Sequence, residues 1–140
     1  MILLLDVISS IPEFSIINDN KIIYSCNIIK STHEKLSDNI IPCYLEMNKS
    51  YYLENRLKSI IITVGPGSYT SLRVGSAFVA GLKFSKDLYI AGVSSGMIFN
   101  FLKSKKYSNN EAIFIRSSNS QYFLSYTDGK KKFNNYKIEI

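Results

Sequence analysis

Apolar residues open the chain in three short blocks, Ile2 to Leu5, Phe14 to Ile17 and Ile22 to Ile29. They are parted by Ser9-Ser10-Ile11-Pro12 and by Asn18-Asp19-Asn20. Breaks of that composition are turns, so the blocks predict three consecutive antiparallel strands. Ser31 and Glu34 then stand at capping-box spacing, and Leu36, Ile40, Tyr44 and Met47 recur at helical intervals, predicting a helix from about Thr32. Pro42 falls inside that pattern and removes a backbone donor, an interior cost of roughly 3 kcal/mol that predicts a bend or a fresh start. Leu57 to Val64 is almost continuously apolar and reads as a central strand buried on both faces. The run ends in Gly65-Pro66-Gly67-Ser68, whose residue types fit a type II turn. Ser68 or Thr70 can cap a helix reaching about Ser85. A short strand at Leu88 to Gly92, a helix over Val93 to Lys103, and a hairpin from Glu111 to Arg116 and Tyr122 to Tyr126 complete the pattern.

Three antiparallel strands leading into parallel crossover units give the layout of the ribonuclease H-like (actin-like ATPase, ASKHA) fold, an α/β class with a mixed sheet flanked by helices. Residues 1–104 make up that lobe. Residues 105–140 are expected to be the remnant of a truncated second lobe, a hairpin and a basic C-terminal segment. Fold at this level does not name a function.

Charge refines this division. The net charge is +6, but residues 1–100 hold nine Lys/Arg against eight Asp/Glu, whereas residues 101–140 hold eight against three. Any nucleic-acid footprint therefore belongs around Lys103, Lys105, Lys106 and Lys130 to Lys132, unless those lysines are a solvated face. Met1 to Leu5 lacks a basic leader, and Asp6 interrupts it well short of a signal or membrane-spanning length. Cys26 and Cys43 have no metal-binding spacing, which suggests neither a zinc site nor a disulfide framework and fits a reducing cytoplasm.

Little in the chain resembles catalytic machinery. The glycine turn could present free N–H groups to an anion at a helix start. It lacks the Gly-Lys-Ser/Thr end of a phosphate loop, and Thr70 stands where a dinucleotide fingerprint needs glycine. His33 is the only histidine and has no partner for a metal. Asp6 ends a strand, but the other core strands end in Asn18, Ile29, Val64 and Gly92, which leaves too few carboxylates for two-metal nuclease chemistry. Without a glycine loop after Asp6, a sugar or acetate kinase is also disfavoured.

The helix after the glycine turn is more informative. Leu72, Gly75, Val79 and Leu82 form one stripe and Val74, Ala77, Phe78 and Gly81 another, with Arg73 and Lys83 as its main charges. A helix apolar on most sides must be covered twice, and one sheet covers it once. The second cover is either another protein or the chain's own third helix.

The segment Gly65-Pro66-Gly67-Ser68-Tyr69-Thr70-Ser71-Leu72-Arg73-Val74-Gly75 resembles the GPGSFTGLRIG signature of the TsaB (YeaZ) family, and Ala91-Gly92-Val93-Ser94-Ser95 resembles the VSS helix start that follows it. Asp6 and the His33 to Pro42 stretch agree more loosely. Ser71 replaces a usual glycine, Val7 a usual small hydroxyl residue, and Arg116-Ser117 an expected Asp-Ala. The resemblance implies a non-catalytic subunit of the complex that makes N6-threonylcarbamoyladenosine at adenosine 37 of tRNA. In that assembly a TsaD-like subunit is the catalyst, a TsaE-like ATPase docks on the pair, and ATP and a metal ion sit on partner subunits, with no cofactor on this chain. Its tRNA contact would be indirect or weak, and a homodimer is an option when the partner is absent. Taken with the helix pattern, it implies a partner interface at Leu36, Ile40, Tyr44, Met47, Arg73, Val74, Ala77, Phe78 and Gly81, with Gly65, Pro66, Gly67 and Ser68 as a structural turn. A peptidase finds no support, since no zinc-binding His pair and no serine with a recognisable base is present. The alternative from a different class is a small actin-like nucleotide-binding enzyme or phosphotransferase.

Overall fold

The computed structural model describes residues 1–31, 33–98, 101, 112–116, 121–128 and 131–139. Strands β1 (Ile2–Asp6), β2 (Glu13–Asn18) and β3 (Lys21–Asn27) come first, then helix α1 (Leu36–Tyr51) and the single turn α2 (Leu53–Arg56). Strand β4 (Ser59–Thr63), helix α3 (Tyr69–Ser85) and strand β5 (Tyr89–Val93) follow, and β6 (Ala112–Arg116), β7 (Gln121–Asp128) and β8 (Lys131–Glu139) close the chain. The first five strands form one sheet in the order β3-β2-β1-β4-β5. β1, β2 and β3 are antiparallel neighbours, whereas β4 lies parallel to both β1 and β5. This is the mixed sheet of the ribonuclease H-like class expected from the pattern. Asp19 and Asn20, both at positive φ, form the two-residue turn between β2 and β3, a conformation their short polar side chains tolerate.

Alternation within the strands decides where the core lies. Leu3 and Leu5 of β1, Phe14 and Ile16 of β2, and Ile60 and Ile62 of β4 all turn to the interior. From the helical side Leu36, Ile40, Tyr44 and Met47 of α1 and Val79 of α3 meet them. Rings of Phe14, Tyr44 and Phe78 close the corner between β2, α1 and α3, with centroids 6.4 Å (Phe14–Tyr44), 5.6 Å (Phe14–Phe78) and 5.4 Å (Tyr44–Phe78) apart. Tilted and edge-on aromatic pairs of this kind add about 0.5–1.5 kcal/mol each beyond area burial.

Four local expectations need correction. α1 starts at Leu36 after Lys35, which gives no side-chain cap; ahead of the helix the Glu34 carboxylate accepts the Lys30 N–H at 2.7 Å and the Glu34 N–H donates to the Ser31 carbonyl at 3.2 Å, while Thr32, the expected start, lies outside the described residues. α1 also runs through Pro42 as one helix, which removes the fresh start from the two outcomes expected there, and Ile40, Tyr44 and Met47 on either side are buried. The glycine turn is not type II. Gly65 is its positive-φ residue (+97°) and the Gly65–Pro66 peptide is cis. Finally, the C-terminal hairpin is part of a three-stranded antiparallel sheet, β6-β7-β8. The sequence pattern does not signal β8 because Asn134-Asn135 interrupts its alternation, opposite a register shift between Leu124 and Tyr126. Of the helix expected over Val93 to Lys103, Val93 instead ends β5 and Ser94 precedes the first helical turn, residues 95–98 and 101 are helical, and residues 99, 100, 102 and 103 lie outside the described residues.

Candidate functional site

The two segments that carry the family signature meet in space. Ser68 caps α3, its Oγ accepting the Ser71 N–H at 3.4 Å. The Ser95 N–H donates to the Gly65 carbonyl at 2.9 Å, and the Ser95 hydroxyl donates to the Pro66 carbonyl at 3.3 Å. Ser94 accepts the Met97 N–H and so caps the next helical turn. On the other side, a Cβ at Gly67 would lie 2.8 Å from Ile8 Cγ2, so only glycine lets the turn seat on the β1–β2 loop. Gly65, Pro66, Gly67 and Ser68 thus join three loops at one end of the sheet.

Asp6 is absorbed into the same framework. Its Oδ1 accepts the Ile8 N–H at 3.0 Å, the Ser9 N–H at 3.4 Å and the Thr63 hydroxyl at 3.0 Å, and Thr63 Oγ1 in turn accepts the Val7 N–H at 2.9 Å. The carboxylate ties the end of β1 to the end of β4. His33 is exposed in the turn before α1.

Helices α1 and α3 both carry solvent-facing apolar or small residues. Gly75 and Val79 face the sheet; a Cβ at Gly75 would lie 2.9 Å from Val7 Cγ1 and 3.2 Å from Ile62 Cδ1. Half a turn away Arg73, Ala77 and Gly81 are exposed, and no described atom lies within 4 Å of a Cβ built on Gly81. Val74 and Phe78 are half-buried at the flank nearest α1, and Phe84 stands 97% exposed at the end of the helix. The Arg73 guanidinium lies 5.4 Å from the centre of the Tyr69 ring one turn back. Of the α1 residues expected at an interface, Leu36, Ile40, Tyr44 and Met47 are instead core, at 2–8% exposure, because their stripe is the one that meets the sheet. The α1 residues turned outward are Ile41 (56%) and Leu45 (50%). Helical spacing puts both on the side of α1 where Tyr44 reaches Phe78 of α3. Ile41, Leu45 and Phe84 were readable as apolar positions outside their helices' buried stripes.

On the opposite flank of α1, a cavity of about 440 Å³ opens against β3, lined among others by Tyr24, Cys26, Lys30, Cys43, Glu46 and Met47. The cysteines that sequence spacing kept apart have Sγ atoms 3.3 Å apart here, and both are free thiols. Desolvation first, then the contact with Cys26, pushes the Cys43 thiol up to about 12.

A model of the family described as "TsaD: tRNA N6-adenosine threonylcarbamoyltransferase" matches residues 27–130. The chain belongs to this family. No curated protein matches it by sequence. Among solved structures, YeaZ from Pseudomonas aeruginosa superposes with a TM-score of 0.68 at 13% identity, over 99% of this chain and 66% of that one. An uncharacterized protein with similarity to peptidase YeaZ, also from Pseudomonas aeruginosa, gives 0.71 at 13% identity, over 99% and 65%. The Aquifex aeolicus PPX-GPPA enzyme gives 0.51 at 14% identity, over 99% and 52%. At such identities the likeness is one of fold, and the chain spans about two thirds of the YeaZ-like proteins it overlays. The family match and the YeaZ fold agree with the TsaB (YeaZ) signature read from Gly65 to Gly75.

Proposed function

We propose that this chain is a non-catalytic subunit of the tRNA threonylcarbamoyladenosine complex, whose α1–α3 face binds and stabilises a TsaD-like catalytic subunit. The observation that carries the reading is the exposure of Ile41 and Leu45 on α1 and of Ala77 and Gly81 on α3, two helices that pack together through Tyr44 and Phe78. Small residues on one helix let another helix approach closely, and apolar neighbours exposed beside them favour that approach. Asp6 supports the same reading, because its carboxylate is held by loop and strand hydrogen bonds. Chemistry, ATP and the metal ion then reside on partner subunits, with a TsaE-like ATPase docking on the pair and tRNA reached through the complex. The tRNA complex proposed here implies a cytoplasmic setting. Among the described residues no helix is long and apolar enough to cross a membrane.

Co-purification with the TsaD-like protein of the same organism tests this. A stable complex is expected, and Gly81→Arg should abolish it while leaving the free chain folded. An intact complex in both Gly81→Arg and Ala77→Arg would place the interface elsewhere. No complex at micromolar concentration, together with saturable nucleotide binding by the chain alone, would favour the actin-like enzyme instead. In the absence of partner the same face should pair with a second copy, and a concentration-independent monomer in analytical ultracentrifugation would count against that.

A further inference from the structure

The cavity between β3 and α1 brings together three sulfur atoms that the docking face does not use. Cys43 and Met47 are four residues apart and project from one side of α1, a turn apart, the spacing by which a helix offers two ligands to one ion. Cys26 faces them from β3. Its Sγ lies 3.3 Å from Cys43 Sγ, and its thiol donates to Met47 Sδ at 3.5 Å. The cavity is open to solvent, and Lys30 and Glu46 stand in its wall as the nearby charges.

This donor set is soft and small in number. Thiolate and thioether sulfur select soft ions such as Cu(I), whereas structural zinc takes four N or S ligands. Among the described residues no group of three His, Cys, Asp or Glu could hold a metal, so no harder donor set competes nearby. Metal–thiolate bonds of roughly 2.3 Å in a trigonal plane would hold the sulfurs roughly 4 Å apart. From 3.3 Å between the two cysteines and 3.5 Å between Cys26 and Met47, these separations need to open by roughly 0.5–0.7 Å, which the flexible Met47 side chain and cysteine rotation allow.

We propose that Cys26, Cys43 and Met47 form a three-sulfur site for a soft monovalent metal ion of the Cu(I) class. On binding, each thiol releases its proton to solvent, three metal–sulfur bonds form, and the ion keeps its charge, so no oxidant or reductant takes part. Two thiolates and one monovalent cation leave one negative charge, which Lys30 attracts and Glu46 opposes, so the sulfur–metal bonds themselves must hold the ion.

The test uses the reduced full chain under anaerobic conditions, with Ag(I) as a redox-inert stand-in for Cu(I) and excess monothiol as competitor. Native mass spectrometry should find one ion per chain, and both cysteines should resist alkylation while it is bound. Cys43→Ser should lose the ion, and Met47→Leu, which keeps the core filled, should bind at least tenfold more weakly. Failure of the wild-type chain to retain the ion against the monothiol would overturn the proposal. So would unchanged affinity in Met47→Leu, which would reduce the site to two thiolates. A third overturning result is rapid loss of two hydrogens from the pair in air that bound Ag(I) does not prevent, marking a disulfide couple instead. If Cys43→Ser fails to fold by circular dichroism, Met47→Leu decides.

Discussion

The two sides of α3 use small residues for opposite reasons. On the inner side Gly75 is small because the sheet comes too close: a methyl group there would collide with Val7, a β-branched residue that is itself fully enclosed. On the outer side Gly81 is small although nothing described lies within 4 Å. Internal packing accounts for the first glycine and leaves the second unaccounted for, so only the second points outside the chain. The contrast separates the residues that make the fold from those that the proposed interface would use.

The largest effect should come from the inner side. Phe14→Ala removes the ring that Tyr44 and Phe78 share, and stability measured by urea unfolding should fall by about 3–5 kcal/mol. Next, Gly81→Arg should weaken partner binding a hundredfold or more, about 2.7 kcal/mol, in a titration against the TsaD-like protein, while its own unfolding free energy does not fall and rises by no more than about 1 kcal/mol, the helix-propensity gain over glycine. A smaller pair sharpens the comparison through its signs. Gly75→Ala should destabilise by roughly 1–2 kcal/mol, as overpacking exceeds the helix-propensity gain, whereas Gly81→Ala should stabilise by about 0.5–1 kcal/mol. Equal signs for the two would erase the distinction between the faces.

The smallest effect concerns pH. Burial, helped by Glu54, raises the Tyr44 phenol above its ordinary 10.0. The unfolded chain ionises that group at the ordinary value, so its contribution is fully present below about pH 10. It is lost as pH rises through the higher folded value. Stability should therefore decline from about pH 10 upward, and Tyr44→Phe should flatten that part of the profile.

Much of the fold was legible because the strands are short, alternating and marked by turn residues. β1 to β5 and α3 lie within a few residues of where their patterns predict them. The α1 stripe of Leu36, Ile40, Tyr44 and Met47 was equally legible as one face, but periodicity does not say whether a face meets the chain's own sheet or a partner. Packing gave that stripe to the core and left Ile41 and Leu45 outside. The signature was legible as a motif without its reason. Ser95 lies far along the chain from Pro66, and only folding brings its hydroxyl to that carbonyl.

By itself the amino-acid order determined the secondary elements, the mixed-sheet class and the family, because these rest on local periodicity, turn chemistry and a contiguous motif. Tertiary structure alone decided which α1 residues face outward, which glycine of α3 has packing as its reason, and that Cys26, Cys43 and Met47 share one cavity. Those outcomes depend on contacts between distant segments, whose geometry no spacing along a single element encodes.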